Sequence, residues 1–94
     1  MNKIILSPQF EKVYKKFVKR LPYLLLKIDE SIKLLESNIY DTRLQTHKLS
    51  GKLFGSMACS CGYDCRIVFK YFFDDKTNES IVLLITIGSH DEVY

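Results

Sequence analysis

Ninety-four residues, 47% hydrophobic and 27% charged, suit one globular domain over residues 1–94 with a single modest core, and exclude a disordered chain. No apolar run approaches the roughly 18 residues of a membrane span, and MNKIILSPQ has too short an apolar run for a signal peptide, so the domain reads as cytoplasmic. The net charge of +3 hides an asymmetry, because residues 1–52 carry +6 and residues 53–94 carry −3. The excess peaks in EKVYKKFVKR, which is either a solvated helix face or a surface for a polyanion, nucleic acid or an acidic partner protein.

The first element is KIIL, residues 3–6, a short apolar run suited to a strand. Ser7-Pro8 then reads as an N-cap followed by a first helical position. Phe10, Val13, Tyr14, Phe17, Val18 and Leu21 recur at helical spacing, with the lysines on the other face. Leu21-Pro22 ends this helix, and Pro22 can open the next, in which Leu25, Ile28, Ile32 and Leu35 step by three and four. Two consecutive amphipathic helices need an apolar surface to cover, which the rest of the chain must supply.

From residue 40 the period is lost, and IYDTRLQTHKLSG reads as a linking segment. LFGSMACS can be a strand, with Gly55 weakening it or marking a bulge. DCRIVFKYFF is the clearest strand: Cys65, Ile67, Phe69, Tyr71 and Phe73 point one way, Arg66, Val68, Lys70 and Phe72 the other. Residues 74–78 form a polar hairpin loop. SIVLLITIG is apolar without alternation, as expected of a central strand covered on both faces. The predicted fold is α+β: a short N-terminal strand, a helical hairpin, then a three-stranded antiparallel meander, with the helices packed on one side of the sheet.

Cys59, Cys61 and Cys65 fall in C-x-C-x3-C spacing without a second short-spaced pair, which is poor for structural zinc. On an extended strand Cys59 and Cys61 would point the same way about 7 Å apart. An odd cysteine count in a reducing compartment argues against disulfides, so the expectation is three thiols packed as small hydrophobes and no metal. Asp64 and Arg66 within this stretch are either a surface ion pair or part of a site. The chain has two histidines, His47 in HKLSG and His90 in IGSHDEVY, both at element ends where catalytic groups tend to be displayed.

H-x-L-S-G at 47–51, G-x-D-x-R-I-V-F at 62–69 and G-S-H-x-x-x-aromatic at 88–94 together resemble the RelE/ParE toxin superfamily, and within it the YafQ-like mRNA interferases of type II toxin–antitoxin pairs. The resemblance spans nearly the whole chain. It implies that His47, Asp64, Arg66 and His90 are catalytic, with Arg66 on the scissile phosphate, and places Tyr94 at the family's C-terminal aromatic position; Lys48, Lys52, Lys70 and Tyr94 are the expected RNA contacts. The YafQ-type pattern has another histidine four residues before the aspartate, where this chain has Ser60. A serine cannot take a proton near neutral pH as an imidazole can.

The implied activity is metal-independent, cofactor-free cleavage of mRNA in the ribosomal A site, neutralised by a cognate antitoxin. Such cleavage needs a base for the 2′-OH, a cation for the charge growing on phosphoryl oxygens, and an acid for the departing 5′-oxygen. Imidazole suits the proton transfers and guanidinium the phosphate. Asp64 either acts as base or orients a histidine. Two alternatives share the fold: a gyrase-poisoning ParE-type toxin without enzymatic activity, and a relic that binds only antitoxin or RNA.

Overall fold

The computed structural model describes residues 1–94. Strand β1 spans Lys3–Leu6, helix α1 Pro8–Arg20, helix α2 Leu25–Ser37, strand β2 His47–Lys48, strand β3 Met57–Ser60, strand β4 Arg66–Asp74, strand β5 Glu79–Gly88 and helix α3 His90–Val93. The five strands form one mixed sheet in the order β1-β5-β4-β3-β2. The expected meander is β3-β4-β5, antiparallel throughout. β1 extends it as a parallel neighbour of β5, Lys3 opposite Ile81 and Leu6 opposite Leu84. No helix is long and apolar enough to cross a membrane.

Ser7 turns the chain from β1 into α1. Its backbone N–H donates to the Leu84 carbonyl at 3.0 Å, and its hydroxyl donates to the Ile85 carbonyl and accepts the Phe10 N–H. Pro8, with its fixed φ, follows at the first helical position. α1 buries Phe10 and Phe17 and leaves its lysines exposed. Each buried phenylalanine contributes about 1.5–3 kcal/mol. Pro22 does not open α2 directly. It opens a 3₁₀ turn, Pro22–Leu24, which seats Leu24 in the core before α2 begins at Leu25. Ile28 and Leu35 of α2 are fully buried, and the Ser31 hydroxyl satisfies itself on the Lys27 carbonyl at 2.8 Å while lying 3.4 Å from the Ser60 carbonyl.

The helices cover one sheet face, where Cys59, Ile67, Phe69, Val82, Leu84 and Ile87 join the core. The alternation read along β4 holds at its start, where Cys65, Ile67 and Phe69 join the core, but Tyr71 and Phe73 beyond them are exposed. β5 differs from expectation. Leu83, Ile85 and Thr86 are only half-buried, whereas Ile81, Val82, Leu84 and Ile87 are buried. Val68 pairs with Thr86 and Phe69 with Leu84, so Ile85 has no partner opposite it and forms a bulge.

The segment expected to be a plain linker contains two 3₁₀ turns, Thr42–Leu44 and Gly51–Leu53, with β2 between them. β2 pairs His47 with Ala58 and Lys48 with Met57. β3 is also shorter than LFGSMACS. It starts at Met57, because Gly55 has φ +93° and cannot continue a strand.

The largest correction concerns the cysteines. Cys61 and Cys65 form a disulfide, and only Cys59 is free. Gly62, at φ +124°, and Asp64, at φ +50°, fold residues 61–65 into a tight turn. That turn brings the two Cα atoms to 5.0 Å, and the Cys61 N–H donates to the Cys65 carbonyl. An extended-strand reading cannot anticipate this approach. A Cβ on Gly62 would also lie 3.1 Å from Leu24 Cδ2. Gly62→Ala should therefore cost about 1–3 kcal/mol, read as a lower urea midpoint at unchanged slope.

Candidate active site

The turn between β3 and β4 and the C-terminal helix α3 meet at one end of the sheet. Ser60, Gly62, Tyr63, Asp64, Arg66 and His90 line an open groove there of about 600 Å³. Arg66 is the first residue of β4, opposite Gly88. Its Nη1 donates to the Cys65 carbonyl at 2.8 Å and lies 3.4 Å from the Gly62 carbonyl. Those carbonyls fix the guanidinium plane while Nε and Nη2 keep their donors for a ligand. A planar fork anchored at one corner suits a phosphate.

Asp64 does not pair with Arg66. Its Oδ1 accepts the backbone N–H of His90 at 3.0 Å. The aspartate therefore orients the histidine through the main chain at the start of α3. Asp tolerates the left-handed conformation it adopts here better than most residues. The His90 ring is exposed, with Nδ1 3.4 Å from Asp91 Oδ1. Nε2 is left for a substrate.

His47 lies outside the groove's lining and joins the site through Tyr94. The His47 Nδ1 sits 3.1 Å from the Gln45 carbonyl, which can only accept, so Nδ1 carries the proton. Nε2 then presents its lone pair and accepts the Tyr94 hydroxyl at 3.2 Å. The Tyr94 ring packs edge-on to the His90 ring at 4.7 Å. Burial pushes the Tyr94 hydroxyl above its ordinary pKa, which keeps it a donor, although Arg66 pulls the other way. Tyr94 thus links the two histidines across the site.

The expected RNA contacts divide. Lys52 and Tyr94 line a second small hollow, with Leu49, Ser50 and Leu53. Lys48 is exposed on β2 next to His47, and Lys70 is exposed farther along the Arg66 face of β4. Ser60 sits on the groove wall, its hydroxyl 3.4 Å from the Gly62 carbonyl. Burial pushes the Cys59 thiol up to about 12, so it is an inert packing group. No three His, Cys, Asp or Glu side chains are placed to share a metal ion.

No protein-family model and no curated protein matches the chain. Solved structures do match. YafQ from E. coli strain BL21(DE3) superposes with a TM-score of 0.77 at 18% identity, over 100% of this chain and 99% of that one. The chain has the fold of the RelE/ParE toxins. A copper-bound mutant toxin from Helicobacter pylori shares this toxin fold at 28% identity and TM-score 0.68, over 100% of both chains. The E. coli DinJ-YafQ toxin–antitoxin complex matches at 19% identity and TM-score 0.71, over 99% of this chain and 97% of that one.

Three residues that hold the site in this RelE/ParE-type fold escaped the sequence reading: Ser89, Glu92 and Arg20. The signal for two of them was present. S-x-x-E at 89–92 is a capping-box pattern, and both of its reciprocal bonds form. Arg20 gave no local signal, being one cation among many on α1.

Proposed function

We propose that this protein is the toxin of a type II toxin–antitoxin pair, and that it cleaves mRNA in the ribosomal A site. The observation that carries the reading is the convergence of Asp64, Arg66 and His90 on one open groove, with His47 joined to it by Tyr94. The free Asp64 oxygen, or His47 Nε2 once the Tyr94 hydroxyl has left it, takes the 2′-OH proton. The 2′-oxygen attacks the adjacent phosphorus, and Arg66 stabilises the charge that builds on the non-bridging oxygens. His90 Nε2 delivers a proton to the departing 5′-oxygen. The products are a 2′,3′-cyclic phosphate and a 5′-hydroxyl, and the proton count balances across the step.

The shallow, polar groove suits a single strand whose base is splayed outward. Tyr63, 93% exposed on its rim, offers a stacking face for that base. Ribosomal RNA would contribute further phosphate contacts to Lys48, Lys52, Lys70 and the basic face of α1. The partner is an antitoxin, supported by the DinJ complex of the structurally similar YafQ. The setting is the cytoplasm, where ribosomes and mRNA meet.

The test is purified protein added to ribosomes programmed with a defined mRNA. Cleavage within the A-site codon, leaving a 2′,3′-cyclic phosphate, is the expected result. Intact mRNA with inhibited gyrase supercoiling would instead indicate a ParE-type toxin. Intact mRNA with tight antitoxin binding and no growth arrest would indicate a relic, to which Ser60 points.

A further inference from the structure

His90 is carried by α3, a helix of four residues. A single turn closes almost no internal hydrogen bonds for the dihedrals it fixes, so it cannot hold itself in water. Its position must come from outside contacts. Asp64 supplies one, on the His90 N–H. Glu92 supplies a second, through Arg20, and Tyr94 a third, through His47. Glu92 Oε1 accepts the Ser89 N–H at 2.9 Å, and the Glu92 N–H lies 3.3 Å from the Ser89 hydroxyl oxygen, completing the capping box. The same Oε1 accepts Arg20 Nη2 at 2.9 Å.

Arg20 is the last residue of α1, and its guanidinium lies 5.4 Å from the centre of the buried Phe17 ring. The chain of contacts therefore runs from the core, through Phe17 and Arg20, to Glu92 and α3. Gly88 leaves the room this needs, since a Cβ there would lie 3.1 Å from Glu92 Cβ and 3.3 Å from Val93 Cγ1. The carboxylate is held down to about 2 by the Ser89 backbone N–H first and Arg20 second, so the contact persists at working pH.

We infer that Arg20 and Glu92 are positioning residues for the proposed cleavage: together they clamp α3 so that the His90 imidazole stands over the groove beside Tyr94. Neither lines the groove. The inference rests on the cleavage reading, but its geometry can be tested separately.

The experiment compares wild type with Arg20→Met, Arg20→Lys, Glu92→Gln, Glu92→Ala and the Arg20→Met/Glu92→Gln double variant. Glutamine at 92 can still complete the capping box but loses the charge that Arg20 meets. Two quantities are read: single-turnover cleavage on programmed ribosomes, and the proton cross-relaxation contact between the His90 and Tyr94 rings. Arg20→Met and Glu92→Gln should each slow kcat by about 10- to 100-fold with KM unchanged. The double variant should be no slower than either single one, because both remove one contact. Glu92→Ala should be slowest and lose the ring contact, and Arg20→Lys should recover most of the rate. Additive losses in the double variant, or an intact ring contact in Glu92→Ala, would overturn the clamp. If wild type cleaves nothing, the cleavage reading fails, and the ring contact alone decides the clamp.

Discussion

Replacing His90 with alanine should slow mRNA cleavage by about 10²–10⁴-fold, the usual worth of a positioned general acid. Folding should hardly change. The ring is exposed, and the bond that matters to the fold is the backbone N–H to Asp64, which alanine keeps. A surface change of this kind sits within about 0.5 kcal/mol in stability. Single-turnover rates on programmed ribosomes, set beside the thermal midpoint, separate the two effects. Arg66→Ala should lose about 10²–10³-fold, as expected when a charge-stabilising donor disappears. If both variants remain fully toxic in cells, the proposed chemistry is wrong.

The largest stability effect should come from Phe69→Ala. Phe69 is fully buried in the middle of β4, between the helices and the sheet. Truncation there removes a ring and leaves a cavity that the neighbouring strands cannot close, at a cost of about 3–5 kcal/mol. Small domains have only about 5–15 kcal/mol in total. The variant should unfold at a much lower urea concentration, or be partly unfolded in buffer. Phe72→Ala, three residues along at 45% exposure, provides the contrast and should shift the midpoint little. Equal losses at both positions would mean that the far end of β4 is covered by something outside this chain.

Much of the fold was legible because its signals are local. α1 and α2 announce themselves by the spacing of Phe10, Phe17, Ile28 and Leu35, and the strand from Arg66 onward by alternation at successive residues. The misreadings share a cause. β5 looked doubly covered because its composition is apolar, yet composition does not say which residues the fold covers, and Leu83, Ile85 and Thr86 stay half-buried. The Cys61–Cys65 disulfide was missed because the extended reading ran past Gly62, whose positive φ reverses the chain between the two thiols. The helix carrying His90 was passed over although Ser89 and Glu92 spell its cap.

By itself, the sequence determined the helical hairpin, the long β4 strand, the basic first half, and the identity of the groups able to carry protons or meet a phosphate. Periodicity and side-chain chemistry act within a few residues, and no partner is needed to read them. The tertiary structure alone decided the rest: β1 running parallel beside β5, the Asp64 carboxylate on the His90 N–H, Arg20 reaching Glu92, and Tyr94 standing between His47 and His90. Each of those contacts joins residues far apart in the chain or turns on a direction of side-chain projection. Such contacts form only once the core has set where α1, β4 and α3 lie relative to one another.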